Sequence, residues 1–262
     1  MNERRPFEME WPGTWIDIPD QASASASEIG TQLHLIESAF SEASMALILF
    51  EQSAMCTAAS ERAELEGDFD RSAELSREVD ASRGLSFDPA EWEERRNEVE
   101  RTLLHENWSR GRVPRQLMHY GPFIHAKAFL YAADQIGKVL SRLAERGDAP
   151  DHASRVRDTY YAAFPTLKEV RNSVQHMEDR GRGLGKSGKP LALKPIENAL
   201  INAPEGALAL NNLNGNRFGT TMADGHYGEV EVSSTALGTI RDHVEQLLNA
   251  YQWRGPRRMY PI

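Results

Sequence analysis

The residue types and spacing best suited to chemistry lie in one hexapeptide, Arg171-Asn172-Ser173-Val174-Gln175-His176. An arginine offers a rigid fork of donors that stays protonated, and histidine is the side chain that ordinarily titrates near neutral pH. Together with an amide, these groups can bind a phosphate and move a proton. They are the minimum set for cleaving RNA without a metal ion.

Helical periodicity predicts how these side chains are presented. The apolar positions recur at spacings of three and four residues, which predicts one stripe on a helix: Leu167, Val170, Val174 and Met177. Asn172 and His176 are four residues apart and share the opposite face, whereas Arg171 lies at the border of the stripe. Arg171 therefore reaches the other two through its long stem or through a helix that loosens near His176. The alternative is a solvated polar face on which Arg171 pairs with Glu178.

The segments Leu167-Lys168-Glu169-Val170-Arg171-Asn172 and Gln175-His176-Met177-Glu178-Asp179-Arg180 resemble the HEPN superfamily, whose motif is Arg, a polar residue (often Asn), three variable residues and His. This resemblance implies a helical bundle that dimerises with two motifs facing each other. In active members it also implies metal-independent endoribonuclease chemistry. Arg171 would then stabilise charge on the scissile phosphate and His176 would act as general acid or base. Asn172 would orient the histidine or the phosphate.

A glycine-rich basic loop, Gly181-Arg182-Gly183-Leu184-Gly185-Lys186-Ser187, follows the motif. It is not a P-loop, because Arg180 occupies the first required glycine position and a helix precedes the loop where a strand should. We interpret it as a helix stop that either closes over a bound phosphodiester or is disordered. Its candidate substrate-binding residues are Arg180, Arg182 and Lys186.

The net charge of −9 argues against broad, nonspecific binding of nucleic acid. The charge is unevenly placed, because residues 61–100 hold fourteen acids against six arginines, whereas residues 171–194 hold six bases against two acids. The local field at the motif therefore suits a phosphate. The acidic segment is a solvated helix, a shield that mimics nucleic acid at the basic site, or a surface that docks a partner protein.

Other chemistries find no support in the sequence. Cys56 is the only cysteine, so no internal disulfide can form, and its apolar helical setting favours a packed thiol. His119 and His125 are six residues apart across a Gly-Pro break, which is not a metal-ligand spacing on one helix. We therefore expect no metal and no cofactor. The apolar run 45–56 is too short to span a bilayer and no signal peptide is present, so we expect a cytoplasmic protein without membrane association.

The sequence predicts a mainly α fold: an up-and-down HEPN-like bundle with a small β-hairpin inserted before the last helix. Prolines near the tryptophans at 11 and 15 predict an extended N-terminal arm over residues 1–26, followed by one helical domain over residues 27–262. Helices are predicted from about residue 27 to 59, with a polar continuation to 83, from 89 to 108, and from 114 to 145 with a break at 119–122. After the motif helix, Asp224-Gly225 predicts a hairpin over about residues 214–233, and Ser234 caps a last helix.

The resemblance to the HEPN superfamily implies a homodimer with metal-independent endoribonuclease chemistry, and we expect this protein to act on RNA in that way, in defence or stress response. Arg171, His176 and Asn172 would carry the reaction. The alternative is a non-catalytic helical module that binds nucleotide, RNA or a protein partner through the same residues or through segment 61–100. The closing arginines, Arg254, Arg257 and Arg258, are solvated or contact RNA.

Overall fold

The computed structural model describes residues 5–17, 23–54, 58–84 and 88–261. The chain divides into two compact units, one formed by Met1–Leu49 with Phe123–Ile262 and the other by Phe50–Pro122. The described part is mainly α-helical, as the periodicity predicts. The helices are α1 (Ser23–Ala54), α2 (Ala58–Arg83), α3 (Pro89–Ser109), α4 (Arg115–Met118), α5 (Gly121–Ala144), α6 (Asp151–Ala163), α7 (Leu167–Gln175), α8 (Met177–Gly181) and α9 (Ser234–Leu248).

Local capping signals explain where two of the described helices begin. The Asp88 side chain accepts the N–H of Ala90 and caps α3, whose first residue is Pro89. The last helix is capped by Ser233, one residue before the predicted Ser234. The first helix begins at Ser23 rather than near residue 27, and it ends at Ala54. Cys56 and part of the N-terminal arm lie outside the described residues.

The core of the larger unit is built from apolar faces of α1, α5, α6, α7 and α9. Its largest fully buried side chains include Phe40, Phe129, Tyr160 and Leu167. The Tyr160 hydroxyl donates to the carbonyl of Ala133, so the buried phenol is satisfied. Helix α6 packs against α9, and buried side chains of α5 and α7 belong to the same hydrophobic core.

A β-sheet also packs against α7. Strands β3 (Ile196–Glu197) and β4 (Asn202–Ala203) pair with each other, and β5 (Asn212–Asn214), β6 (Arg217–Thr221) and β7 (Tyr227–Glu231) form an antiparallel sheet in the order β5-β6-β7. The sheet thus has a third strand beyond the two that the Asp224-Gly225 turn predicts. Both β6 and β7 contact α7. A side chain on Gly228 would press on Val170, so the strand approaches the helix closely.

The chain ends are strapped together in the larger unit. Strand β1 (Met9–Trp11) pairs antiparallel with β9 (Arg258–Tyr260), and β2 (Trp15–Ile16) pairs with β8 (Trp253–Arg254). The closing arginines pair with carboxylates at 2.7–2.9 Å: Arg254 with Asp17, Arg257 with Glu10, and Arg258 with Glu37. The tail therefore pairs with the N-terminal arm and with α1, while the Arg254 and Arg257 side chains stay 71% and 75% exposed.

The smaller unit is a helical hairpin of α2 and α3. The two helices run antiparallel, because residues later in α2 pair with residues earlier in the second half of the hairpin. The three pairs that show this are Asp68 with Arg112, Arg71 with Glu106, and Asp80 with Arg95. Between the two helices the buried apolar side chains among the described residues are Leu75 and Val99. Ion pairs therefore link the two helices at several points, and they neutralise part of the acidic excess of segment 61–100.

Within α1, the stretch Ser25–Ser53 is long and apolar enough to cross a membrane, with a hydropathy of 1.4 in its most apolar window. Half of that window is buried inside the protein. Core helices pass the same test of length and composition, so the absence of membrane association stays an expectation.

Candidate functional site

The motif helix α7 ends within the motif itself. Leu167, Val170 and Val174 are buried, so the predicted stripe faces the core. The helix stops at Gln175, and His176 leaves helical geometry with φ −112° and ψ 43°. The short helix α8 begins at the next residue. The chain therefore breaks at the histidine, where one of the two alternatives drawn from the sequence places a loosened helix.

Arg171 is anchored in the protein interior. Its Nε lies 2.8 Å from Asp134 Oδ2, and the side chains of Arg171 and Asp134 are 10% and 4% exposed. Its Nη1 donates to Gln175 Oε1 at 2.7 Å. Lys138, one turn further along α5, also pairs with Asp134 at 2.8 Å. The alternative pairing with Glu178 is therefore wrong, because α7 turns Arg171 toward α5.

The acidic partner in α5 is the residue that sequence reasoning missed. Asp134 lies among the buried apolar positions of α5, and a carboxylate on such a face needs a buried cation or donor. A carboxylate on the apolar face of a helix was therefore the sequence feature that could have identified Asp134 as the partner of a buried cation. Burial raises the pKa of the Tyr131 phenol, and the positive charge of Arg171 opposes the rise. Arg171 thus pairs with Asp134 of α5.

His176 has the opposite environment. Its side chain is 60% exposed, and Nδ1 lies 3.7 Å from Glu178 Oε1. The His176, Glu178 and Asp179 ligand atoms lie within 4.8 Å of one another, so among the described residues they form a group that could hold a metal ion. Asn172 is half-buried, and its carbonyl accepts the N–H of His176. The backbone therefore ties Asn172 to the histidine.

The three basic residues proposed to bind substrate are placed differently from one another. Arg180 is buried, and its Nη1 donates to the carbonyl of Leu184, so it holds the loop in place. Arg182 and Lys186 are exposed. The loop is tied by backbone hydrogen bonds, including Gly185 N–H to the carbonyl of Lys189 at 2.7 Å. The loop is therefore hydrogen-bonded rather than disordered, and it offers two cations to solvent.

Comparison with models of protein families, with curated proteins and with solved structures gave no match to this chain.

Proposed function

We propose that the protein is a metal-independent endoribonuclease of HEPN type, with its site at the break between α7 and α8. The observation that carries the proposal is the exposed imidazole of His176 directly after a helix whose Arg171 is held by a buried carboxylate. A proton-transfer group must reach solvent and substrate, whereas a charge-stabilising group gains from a fixed position.

The reaction follows from these roles. His176 accepts the proton of an RNA 2′-hydroxyl, whose oxygen attacks the adjacent phosphorus. The bond from phosphorus to the 5′-oxygen breaks, and that oxygen takes up a proton, which leaves a 2′,3′-cyclic phosphate and a 5′-hydroxyl. Arg171 stabilises the charge on the phosphate, Asn172 orients the imidazole, and Arg182 and Lys186 bind neighbouring phosphates. A homodimer would bring two such motifs together.

The test is incubation of the full chain with mixed-sequence single-stranded RNA in EDTA. Removing a general acid or base costs on the order of 10²- to 10⁴-fold in rate, so we expect His176→Ala to lose cleavage by that factor. His226→Ala is the matched control, since His226 is 61% exposed and also lies beside a carboxylate two residues away, that of Asp224. The proposal would be contradicted if parent protein that is dimeric in solution left the RNA intact. It would also be contradicted if His176→Ala cleaved the RNA as fast as the parent does.

A second experiment uses the group that could hold a metal. A divalent ion bound by His176, Glu178 and Asp179 would occupy a ring nitrogen needed for proton transfer. We therefore expect added Zn²⁺ to inhibit cleavage, while EDTA leaves the parent rate unchanged. Activation by Zn²⁺ and loss of activity in EDTA would refute the metal-independent mechanism.

One observation favours a second candidate, a non-catalytic module that binds RNA or a protein. Arg171 is nearly buried and is engaged by Asp134 and Gln175, as expected for a purely structural cation. The variant Arg171→Lys separates the two functions, because lysine keeps the charge beside Asp134 but lacks the guanidinium fork. A catalytic role predicts lost cleavage with retained stability. A non-catalytic module predicts that the parent and Arg171→Lys both bind their ligand and that neither forms a cleavage product.

A further inference from the structure

A second candidate site lies at the strap between the chain ends, in a cavity of about 270 Å³. It is formed by the N-terminal arm, the first part of α1 and the C-terminal tail, and it includes no residue of α7 or α8. The lining residues that matter for the argument are Trp11, Trp15, Trp253, His34 and Arg258. Small ligands bind in such concave sites, where flat apolar walls carry a few polar groups.

Three of the five tryptophans of the chain line this cavity. Trp11 is buried and meets Trp253 edge to face, with ring centroids 5.7 Å apart. The indole N–H of Trp253 donates to the carbonyl of Leu248 at 2.6 Å, which fixes that ring. The cavity therefore has a rigid aromatic floor.

Trp15 forms the solvent-exposed side of the cavity, because 65% of the surface of this residue is exposed. The turn at Gly255, which has φ +84°, lies against one edge of its ring. A Cβ on Gly255 would lie 3.0 Å from Trp15 Cζ3 and 2.9 Å from Thr14 Oγ1. A large indole that is positioned but uncovered is suited to stacking against a planar ligand.

The polar groups of the cavity select the ligand class. Arg258 lies over the Trp11 ring at 4.4 Å and pairs with Glu37 at 2.7 Å, so its position is fixed. His34 is exposed and offers a ring nitrogen. Among the described lining residues there is no carboxylate, so a cationic ligand would find no counter-charge. A planar ring with hydrogen-bonding edges matches both the indoles and these polar groups.

We propose that this cavity binds a nucleobase, stacked on Trp15 with its polar edge toward His34 and Arg258. Every base has a π-face, and base–aromatic stacking tolerates all four bases. The ring comes either from a free nucleotide or from an unpaired base of a strand, which share this chemistry. The inference does not rest on the proposed function, because it uses none of the motif residues.

The experiment is isothermal titration of the full chain with three probes: AMP, ribose 5-phosphate and a short oligo(dA). The deoxy-oligonucleotide lacks the 2′-hydroxyl, so any ribonuclease activity cannot consume it. We expect AMP to bind and ribose 5-phosphate, which lacks the ring, to bind far more weakly. Oligo(dA) that binds much more tightly than AMP identifies a strand as the source, whereas equal affinity identifies a free nucleotide.

The decisive variant is Trp15→Ala, which removes an exposed side chain and so leaves the core intact. Loss of one base–aromatic stack should weaken AMP binding on the order of 5- to 100-fold. Trp108→Ala is the matched control, because Trp108 is also 65% exposed and belongs to the smaller unit. The proposal is overturned by parent-like binding in Trp15→Ala, by an equal loss in Trp108→Ala, or by absence of AMP binding at millimolar concentration.

Discussion

Replacing Asp134 with asparagine should cost more stability than removing its partner Arg171. With Asp134→Asn, the guanidinium stays buried and loses its counter-charge, because its remaining partners, Gln175 and the introduced amide, are both neutral. An uncompensated buried charge costs about 3–5 kcal/mol. With Arg171→Met, the carboxylate keeps Lys138, whose side chain is 56% exposed and still pairs at 2.8 Å. That change should cost about 1–3 kcal/mol.

The double variant completes the cycle. Once the guanidinium is gone, the amide introduced by Asp134→Asn leaves no buried charge behind, so Asp134→Asn/Arg171→Met should be about as stable as Arg171→Met alone. The coupling energy between the two positions should therefore equal the cost of Asp134→Asn alone, about 3–5 kcal/mol, at or above the upper end of the range for directly contacting groups.

Urea unfolding followed by tryptophan fluorescence measures these differences. In a Trp92→Phe/Trp108→Phe background, the remaining tryptophans (Trp11, Trp15 and Trp253) all belong to the larger unit. The signal then reports that unit alone. Equal costs for the two single variants, or a coupling below about 0.5 kcal/mol, the scatter expected of independent sites, would refute the reasoning.

Three further predictions concern other parts of the larger unit. A hydrogen bond from Arg146 lowers the pKa of Asp148 to about 2, so the stability contributed by this carboxylate is complete above pH 4 and is lost as the pH falls through 2. In thermal melts at acidic pH, Asp148→Asn should therefore lose less stability with falling pH than the parent does. Burial raises the pKa of Tyr227 to about 12, so stability present below pH 10 is lost as pH rises through 12, and Tyr227→Phe should reduce this loss in alkaline melts. Gly228→Ala would place a Cβ 2.7 Å from Met222 Sδ and 3.0 Å from Val170 Cγ2; it should cost about 1–3 kcal/mol in thermal unfolding, whereas Gly238→Ala in open space should not.

Local features of the chain were predictable from sequence because they depend on neighbours within about one or two helical turns. The Asp88 cap, the break between α4 and α5, and the apolar stripe of α7 are of this kind. Periodicity also predicts that His176 faces away from that stripe, but its exposure in the structure comes with a break of the helix at His176. Chemistry-bearing residues and their faces could therefore be named before the fold was known.

Only the tertiary structure decided which distant groups meet. Nothing near Arg171 in sequence indicates that its partner is Asp134, since that pairing depends on how α5 and α7 pack. Likewise, the sequence does not show that Arg254 and Arg257 of the C-terminal tail pair with Asp17 and Glu10 of the N-terminal arm, since those ion pairs depend on how the two segments pair. Sequence periodicity assigns a side chain to a face of its own element. Packing and strand pairing then determine what that face contacts, and so whether a charge is available to a ligand or held inside the fold.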